Sequence, residues 1–146
     1  MASLLSACAS QPPKSVQTVS GWPEIEIAAD KKAVKDYFML KNVEGGFQVE
    51  NESDSSLTVS KVDTSASFNA ALTQVALGNA YSTPPKYEVK YYFNQLPGRV
   101  KVLTNIAVST QMPGGQVNRQ FLNENSAVFN AYQDQLVRFK TQLEKK

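Results

Sequence analysis

KYEVKYYFNQLPGRVKVLTNIAVS, residues 86–109, alternates apolar and polar positions on both sides of a turn. Tyr87, Val89, Tyr91 and Phe93 interleave with Glu88, Lys90 and Tyr92; beyond residues 95–98, Val100, Val102, Ile106 and Val108 interleave with Lys101, Leu103 and Asn105. A period of two sends successive side chains to opposite faces of a strand, so each arm has one face to bury and one to leave wet. Pro97 and Gly98 provide turn geometry that other residue types adopt poorly. The stretch therefore predicts an antiparallel hairpin, and the rest of the chain has to supply the cover for its apolar face.

Working toward the N-terminus, residues 65–77 have a helical period, with Phe68, Leu72, Val75 and Ala76 on one side and Gly78 and Asn79 closing the segment. Phe47, Val49, Leu57, Val59 and Lys61 alternate around residues 52–55, which predicts a second hairpin with one buried face. Residues 31–43 read as a helix carrying Val34, Tyr37, Phe38 and Lys41 at spacings of three and four, its apolar side completed by Leu40 or the stem of Lys41. Asp30 is placed to cap its first turn, and Gly45 and Gly46 to end it. Residues 22–28 form a short strand with Trp22, Ile25 and Ile27, and Pro23 stands near its start, where a missing donor is tolerated.

Toward the C-terminus, residues 112–115 break the pattern and 117–122 can add one short strand. Asn125 or Ser126 caps a last helix on which Phe129, Tyr132, Leu136, Phe139 and Leu143 recur every three or four residues. A seam of about two heptads is too short for a coiled coil and is read as a helix lying on a sheet. The fold class that follows is α+β: an antiparallel sheet of four to six strands with helices packed on one face, in the order β-α-β-β-α-β-β-α. Without the middle helix this order loosely resembles one repeat of the TATA-binding-protein fold, a likeness of topology that implies no function.

The N-terminal segment is different in kind. Cys8, the only cysteine, sits between two leucines and a polar stretch containing Pro12 and Pro13. Leu5, Ser6, Ala7 and Cys8 resemble the lipobox of bacterial lipoproteins, in which small residues precede a cysteine that is acylated and becomes the mature N-terminus. Met1, Ala2 and Ser3 lead into only Leu4 and Leu5, a remnant of the apolar stretch a secretory signal needs. The resemblance implies a division into 1–7, signal remnant; 8–20, lipidated N-terminus and flexible tether; and 21–146, a single folded domain. It also implies a cell-envelope protein held by its acyl chains, such as palmitate. Ala9 after the cysteine implies the outer membrane, with the domain facing the periplasm. Several acyl chains anchor a soluble domain firmly where one would be marginal.

Composition narrows the rest. A chain of 146 residues with 42% hydrophobic and 19% charged residues can bury one core. A net charge of +2 from 15 basic and 13 acidic residues gives no bulk attraction for nucleic acid, which is not an expected partner. The chain has no histidine, which removes the usual general base, serine triads and histidine zinc sites, and its single cysteine, acylated as the lipobox resemblance implies, leaves no thiol chemistry. Glu50, Glu52 and Asp54 superficially resemble a calcium loop, but Ser55 replaces its glycine and Lys61 its last glutamate. No catalytic residue, metal ligand or cofactor is nominated.

The expected binding face is the wet side of the hairpin, where Lys86, Lys90 and Tyr92 face the same way as Arg99, Lys101 and Leu103. The leading expectation is a non-enzymatic envelope lipoprotein whose domain docks on another protein at the membrane surface. The alternative is a carrier of a small ligand or polyanion, in the sheet–helix cleft or on the basic face. A cavity lined by Tyr87, Tyr91 and Phe93 would favour the carrier; a filled core with exposed apolar residues would favour docking.

Overall fold

A computed structural model describes residue 14 and residues 16–62, 86–111 and 117–145. Among these, the elements in order are β1 (Glu24–Ile27), α1 (Lys31–Glu44), β2 (Gln48–Glu52), β3 (Ser56–Val62), β4 (Lys86–Leu96), β5 (Arg99–Gln111), β6 (Val117–Phe121) and α2 (Ser126–Leu143). The expected helix over 65–77 lies outside the described residues.

The hairpin that decides the fold is β4–β5. Its register runs without a break from Lys86 opposite Ser109 to Leu96 opposite Arg99, and Gly98 turns the chain at φ +74°. Around it forms one six-stranded antiparallel sheet, in the order β2–β3–β4–β5, with two strands sharing the far edge of β5. β1 pairs with Val100 to Leu103 and β6 with Ala107 to Gln111, so the first and last strands lie end to end along one template. The gap between them is closed by the Thr104 N–H donating to the Pro23 carbonyl and the Leu122 N–H to that of Ile106, both at 2.9 Å. The Asn123 side chain accepts from the Ile106 N–H at 2.8 Å, so the central strand leaves no unpaired donor there.

The inner face carries the residues that the alternation selects: Leu57 and Val59, Tyr87, Val89, Tyr91 and Phe93, and Val100, Val102, Ile106 and Val108, all buried. Both helices contribute to the same core, centred on Phe38 of α1. Its ring meets Tyr91, Phe93 and Phe139 edge-on at 5.0, 5.5 and 4.8 Å between centroids, the arrangement aromatic quadrupoles prefer. The Asp30 carboxylate caps α1 by accepting from the Lys32 and Ala33 N–H groups, and Asn125, of the two expected candidates, caps α2 through Val128.

Three local expectations are corrected. The first strand spans Glu24–Ile27 rather than 22–28, because the Trp22 backbone bonds to the Thr18 and Ser20 hydroxyls instead of to β5. In α1 the buried stripe is Val34, Phe38 and Asn42, while Leu40 and Lys41 face outward. Asn42 tolerates burial because its amide donates to the Phe38 carbonyl at 2.8 Å and its oxygen stands 3.4 Å from the Tyr91 hydroxyl. Finally, β2 has no buried face: it is the sheet edge, and a register shift between Val49 and Asn51 breaks its alternation.

The edge formed by β1 is sealed by side chains of α2. Gln133 accepts from the Glu24 N–H at 3.0 Å and donates to the Glu24 carbonyl at 2.9 Å. Lys140 donates to the Glu26 carbonyl at 2.7 Å, and Glu144 accepts from the Ala28 N–H at 2.6 Å. Helical spacings of seven and four put these three side chains on one face, so a polar row substitutes for a neighbouring strand.

Candidate binding surfaces

Among the described residues the cleft between sheet and helices is filled. Tyr87, Tyr91 and Phe93, the residues expected to line any cavity there, are 5, 0 and 1% exposed and belong to the core with Phe38 and Phe139. The Tyr91 hydroxyl lies 3.2 Å from the Gln135 side-chain oxygen as well as beside Asn42. Burial pushes the Tyr91 and Tyr132 hydroxyls far above the ordinary tyrosine range, so both remain neutral donors.

On the outer face, Lys86, Lys90 and Tyr92 of β4 and Arg99 and Lys101 of β5 do share one side, as the register requires. What sequence spacing missed are the carboxylates brought to the same side by other strands. Glu24 and Glu26 of β1 pair with Lys101 and Arg99 and Glu50 of β2 approaches Lys86 at 3.8 Å, while Glu88 of β4 itself holds Arg119 of β6 at 2.7 Å. Only Lys90, among the described cations of this face, has no carboxylate at bridging distance; its ammonium lies 5.1 Å from the Tyr92 ring centre. Burial raises the pKa of Glu24, but hydrogen bonds from Ser20 and Lys101 outweigh it and hold the carboxyl below its ordinary value. The face is thus close to neutral rather than basic, and its long-range pull on a polyanion is weak.

One end of this face holds a shallow groove of about 240 Å³ lined by Trp22, Asn105, Phe121, Asn123 and Glu124. Its parts come from three places in the chain and meet at the β1–β6 junction. Trp22 is held by its neighbours: its carbonyl accepts from the Thr18 hydroxyl at 2.6 Å and its N–H donates to the Ser20 hydroxyl at 3.1 Å. Its ring leans over Tyr92 at 6.3 Å and 34°. Asn123 donates to the Asn105 side-chain oxygen at 3.0 Å, fixing that amide. Phe121 is 61% exposed and lies against Arg119. The contacts of the groove reach back to Lys14, whose ammonium bridges Glu124 at 3.2 Å and sits over the Phe129 ring.

The helical side offers a second surface. Leu40 and Val43 of α1 are about half exposed, as is Val137 of α2. A broader groove of about 490 Å³ lies between the helices, with Tyr37, Lys41, Arg138 and Phe139 among its lining residues. Its floor is aromatic, since Tyr37 and Phe139 meet edge-on at 5.3 Å.

Glu52 and Asp54, which alternate at the second hairpin, each face a lysine, Lys35 and Lys31, at 2.8 Å. Among the described residues no cluster of three potential metal ligands occurs, and no helix is long and apolar enough to cross a membrane. No family model, curated protein or solved structure matches the chain.

Proposed function

We propose that this chain is a non-enzymatic cell-envelope lipoprotein, anchored in the outer membrane through acylated Cys8, whose domain docks on another protein at the membrane surface through its helical side. The anchoring half of the proposal rests on Leu5, Ser6, Ala7 and Cys8 in the sequence. The docking half rests on one observation: among the described residues the core is filled, while half-exposed Val137 lines an aromatic-floored groove between the helices and Leu40 and Val43 stand half exposed on α1. A half-exposed apolar residue in the lining of a groove marks an interaction site more often than apolar residues scattered singly on a surface do. A middle helix over 65–77 completes the proposed order β-α-β-β-α-β-β-α, to which β6 is an addition. The polyanion carrier is the weaker reading, because the cations of the sheet face, Lys90 apart, are matched by carboxylates.

The test uses the protein expressed from its full native gene. Wild type should gain a lipid-sized mass and partition with membranes, and Cys8→Ala should lose both. A photocrosslinking residue at position 40 should give a discrete protein adduct in those membranes, while one at Asn94, exposed on the sheet side, should not. An unmodified, soluble wild type refutes the anchor; no adduct from position 40 refutes docking at this face.

A further inference from the structure

A sheet edge is a row of unpaired backbone donors and acceptors, and this sheet treats its edges unequally. β1 is sealed by Gln133, Lys140 and Glu144 of α2. β2 is blunted by the register shift between Val49 and Asn51 and carries two carboxylates, Glu50 and Glu52. β6 has neither protection. It pairs only with β5, its register runs unbroken from Val117 opposite Gln111 to Phe121 opposite Ala107, and it contains no proline.

One hydrogen bond sets the direction of every backbone group on β6. The Leu122 N–H donates to the Ile106 carbonyl of β5. Ladder bonds of an antiparallel pair recur at every second residue, so Gln120 and Asn118 also turn their N–H and C=O groups toward β5. Val117, Arg119 and Phe121 therefore turn theirs outward. Among the described residues no hydrogen bond reaches those outward groups.

The side chains repeat the contrast. Val117 and Phe121 are 69 and 61% exposed, the most exposed large apolar residues of the described strands. Arg119, the one charge on β6, is drawn away from the edge, because its guanidinium reaches back over β5 to Glu88 of β4 at 2.7 Å. An open edge with apolar residues and its charge held elsewhere is suited to accept another strand.

The strand that fits is β6 itself. Its outward residues are placed symmetrically about Arg119. Antiparallel pairing about a two-fold axis at Arg119 is the register that uses all of them on both strands, and it forms about six N–H···O bonds, two at each pair. The same register sets Val117 against Phe121 of the second copy at both ends, a β-branched–aromatic pair of the kind that stabilises sheets. On the other side of the strand it sets Asn118 against Gln120. The two Arg119 side chains stand opposite each other, but each leans onto Glu88 of its own copy instead of meeting across the axis. A β6-to-β2 contact would leave one edge of each kind open and propagate, whereas this one closes at two copies.

We propose that the chain forms a two-fold dimer by joining β6 to β6 of a second copy, making one continuous sheet. The pairing uses the sheet edge and not the helical side, so it stands or falls apart from docking there. A five-residue strand pair is smaller than the roughly 800 Å² per partner of stable complexes, which sets the expected dissociation constant at about 10–100 μM.

Sedimentation equilibrium of the full chain, kept reduced so that Cys8 forms no disulfide, should show a monomer–dimer equilibrium in that range. As concentration rises, hydrogen exchange should slow at the Val117, Arg119 and Phe121 amides and stay unchanged at Asn118 and Gln120, which β5 already protects. Val117→Lys and Phe121→Glu should each weaken the dimer about tenfold or more. The double variant, which sets a lysine against a glutamate at both ends, should recover to within about threefold of wild type. Far-UV circular dichroism and the urea midpoint of each variant separate lost pairing from lost fold. The proposal is overturned if the chain stays monomeric up to about 1 mM or if association continues past two copies. It is equally overturned if both single variants dimerise like wild type while folded, or if the double variant is as weak as the singles.

Discussion

Truncating Gln133 to alanine tests whether α2 really substitutes for a missing strand. Its amide serves both backbone groups of Glu24, at 3.0 and 2.9 Å, from a side chain only 7% exposed. Removing it leaves one N–H and one carbonyl unpaired on a part-buried edge. An orphaned buried polar group costs about 1–3 kcal/mol, and partial access of water to β1 places each group near the lower end. The sum is about 2–3 kcal/mol, a large share of the roughly 5–15 kcal/mol typical of a domain's stability. For a chain of this length the melting temperature should fall by about 4–12 °C. Urea unfolding followed by Trp22 fluorescence and far-UV circular dichroism gives the free energy, and hydrogen exchange at the Glu24 amide should accelerate. Val137→Ala, on the same helix but about half exposed, is the control and should change stability by less than about 0.5 kcal/mol. A Gln133→Ala loss no larger than that control, with unchanged exchange at Glu24, would refute the edge-sealing argument.

Two further predictions concern the core and acid stability. Phe38→Ala empties the point where Tyr91, Phe93 and Phe139 converge and should cost about 3–5 kcal/mol by urea denaturation; a loss below about 1.5 kcal/mol would mean that the ring cluster closes over the gap. Glu24 has a folded pKa below its ordinary value of 4.5. Its contribution is therefore fully present above about pH 4.5 and is lost as pH falls through the folded value. Glu24→Gln should flatten the stability–pH curve in that acid window and leave its slope unchanged between pH 6 and 8, as a series of urea midpoints can show.

How much of this was legible in the sequence depends on the range of the interaction. The β4–β5 hairpin and α2 were readable because period and turn chemistry are local: Tyr87 to Phe93 alternate regardless of partner, and Phe129 to Leu143 share a helical stripe wherever they dock. β2 was misread because Val49 satisfies the same alternation, while its exposure follows from being at the edge and from a register shift that no local pattern announces. The basic face was half legible. The cations share a strand pair, but their carboxylate partners Glu24, Glu26 and Glu50 arrive from β1 and β2 and are known only once strand order is known. The groove was not legible at all, since Trp22, Asn105 and Phe121 become neighbours only because β1 and β6 abut on β5. Gln133 carried no signal, because a glutamine on a helix is ordinarily solvated and here completes a sheet edge.

The bridge from Lys14 to Glu124 has a consequence for geometry at the membrane. If Cys8 carries the acyl chains, the stretch from position 8 to position 14 spans at most about 20 Å when fully extended. With Lys14 held against Glu124 and Phe129, a domain so anchored would ride on a short leash attached beside the aromatic groove, instead of roaming on the longer tether the sequence suggested. Such a leash would keep the groove end of the sheet near the bilayer and limit how far the domain can reach outward. Breaking the bridge would lengthen the leash, and with it the volume the domain can search.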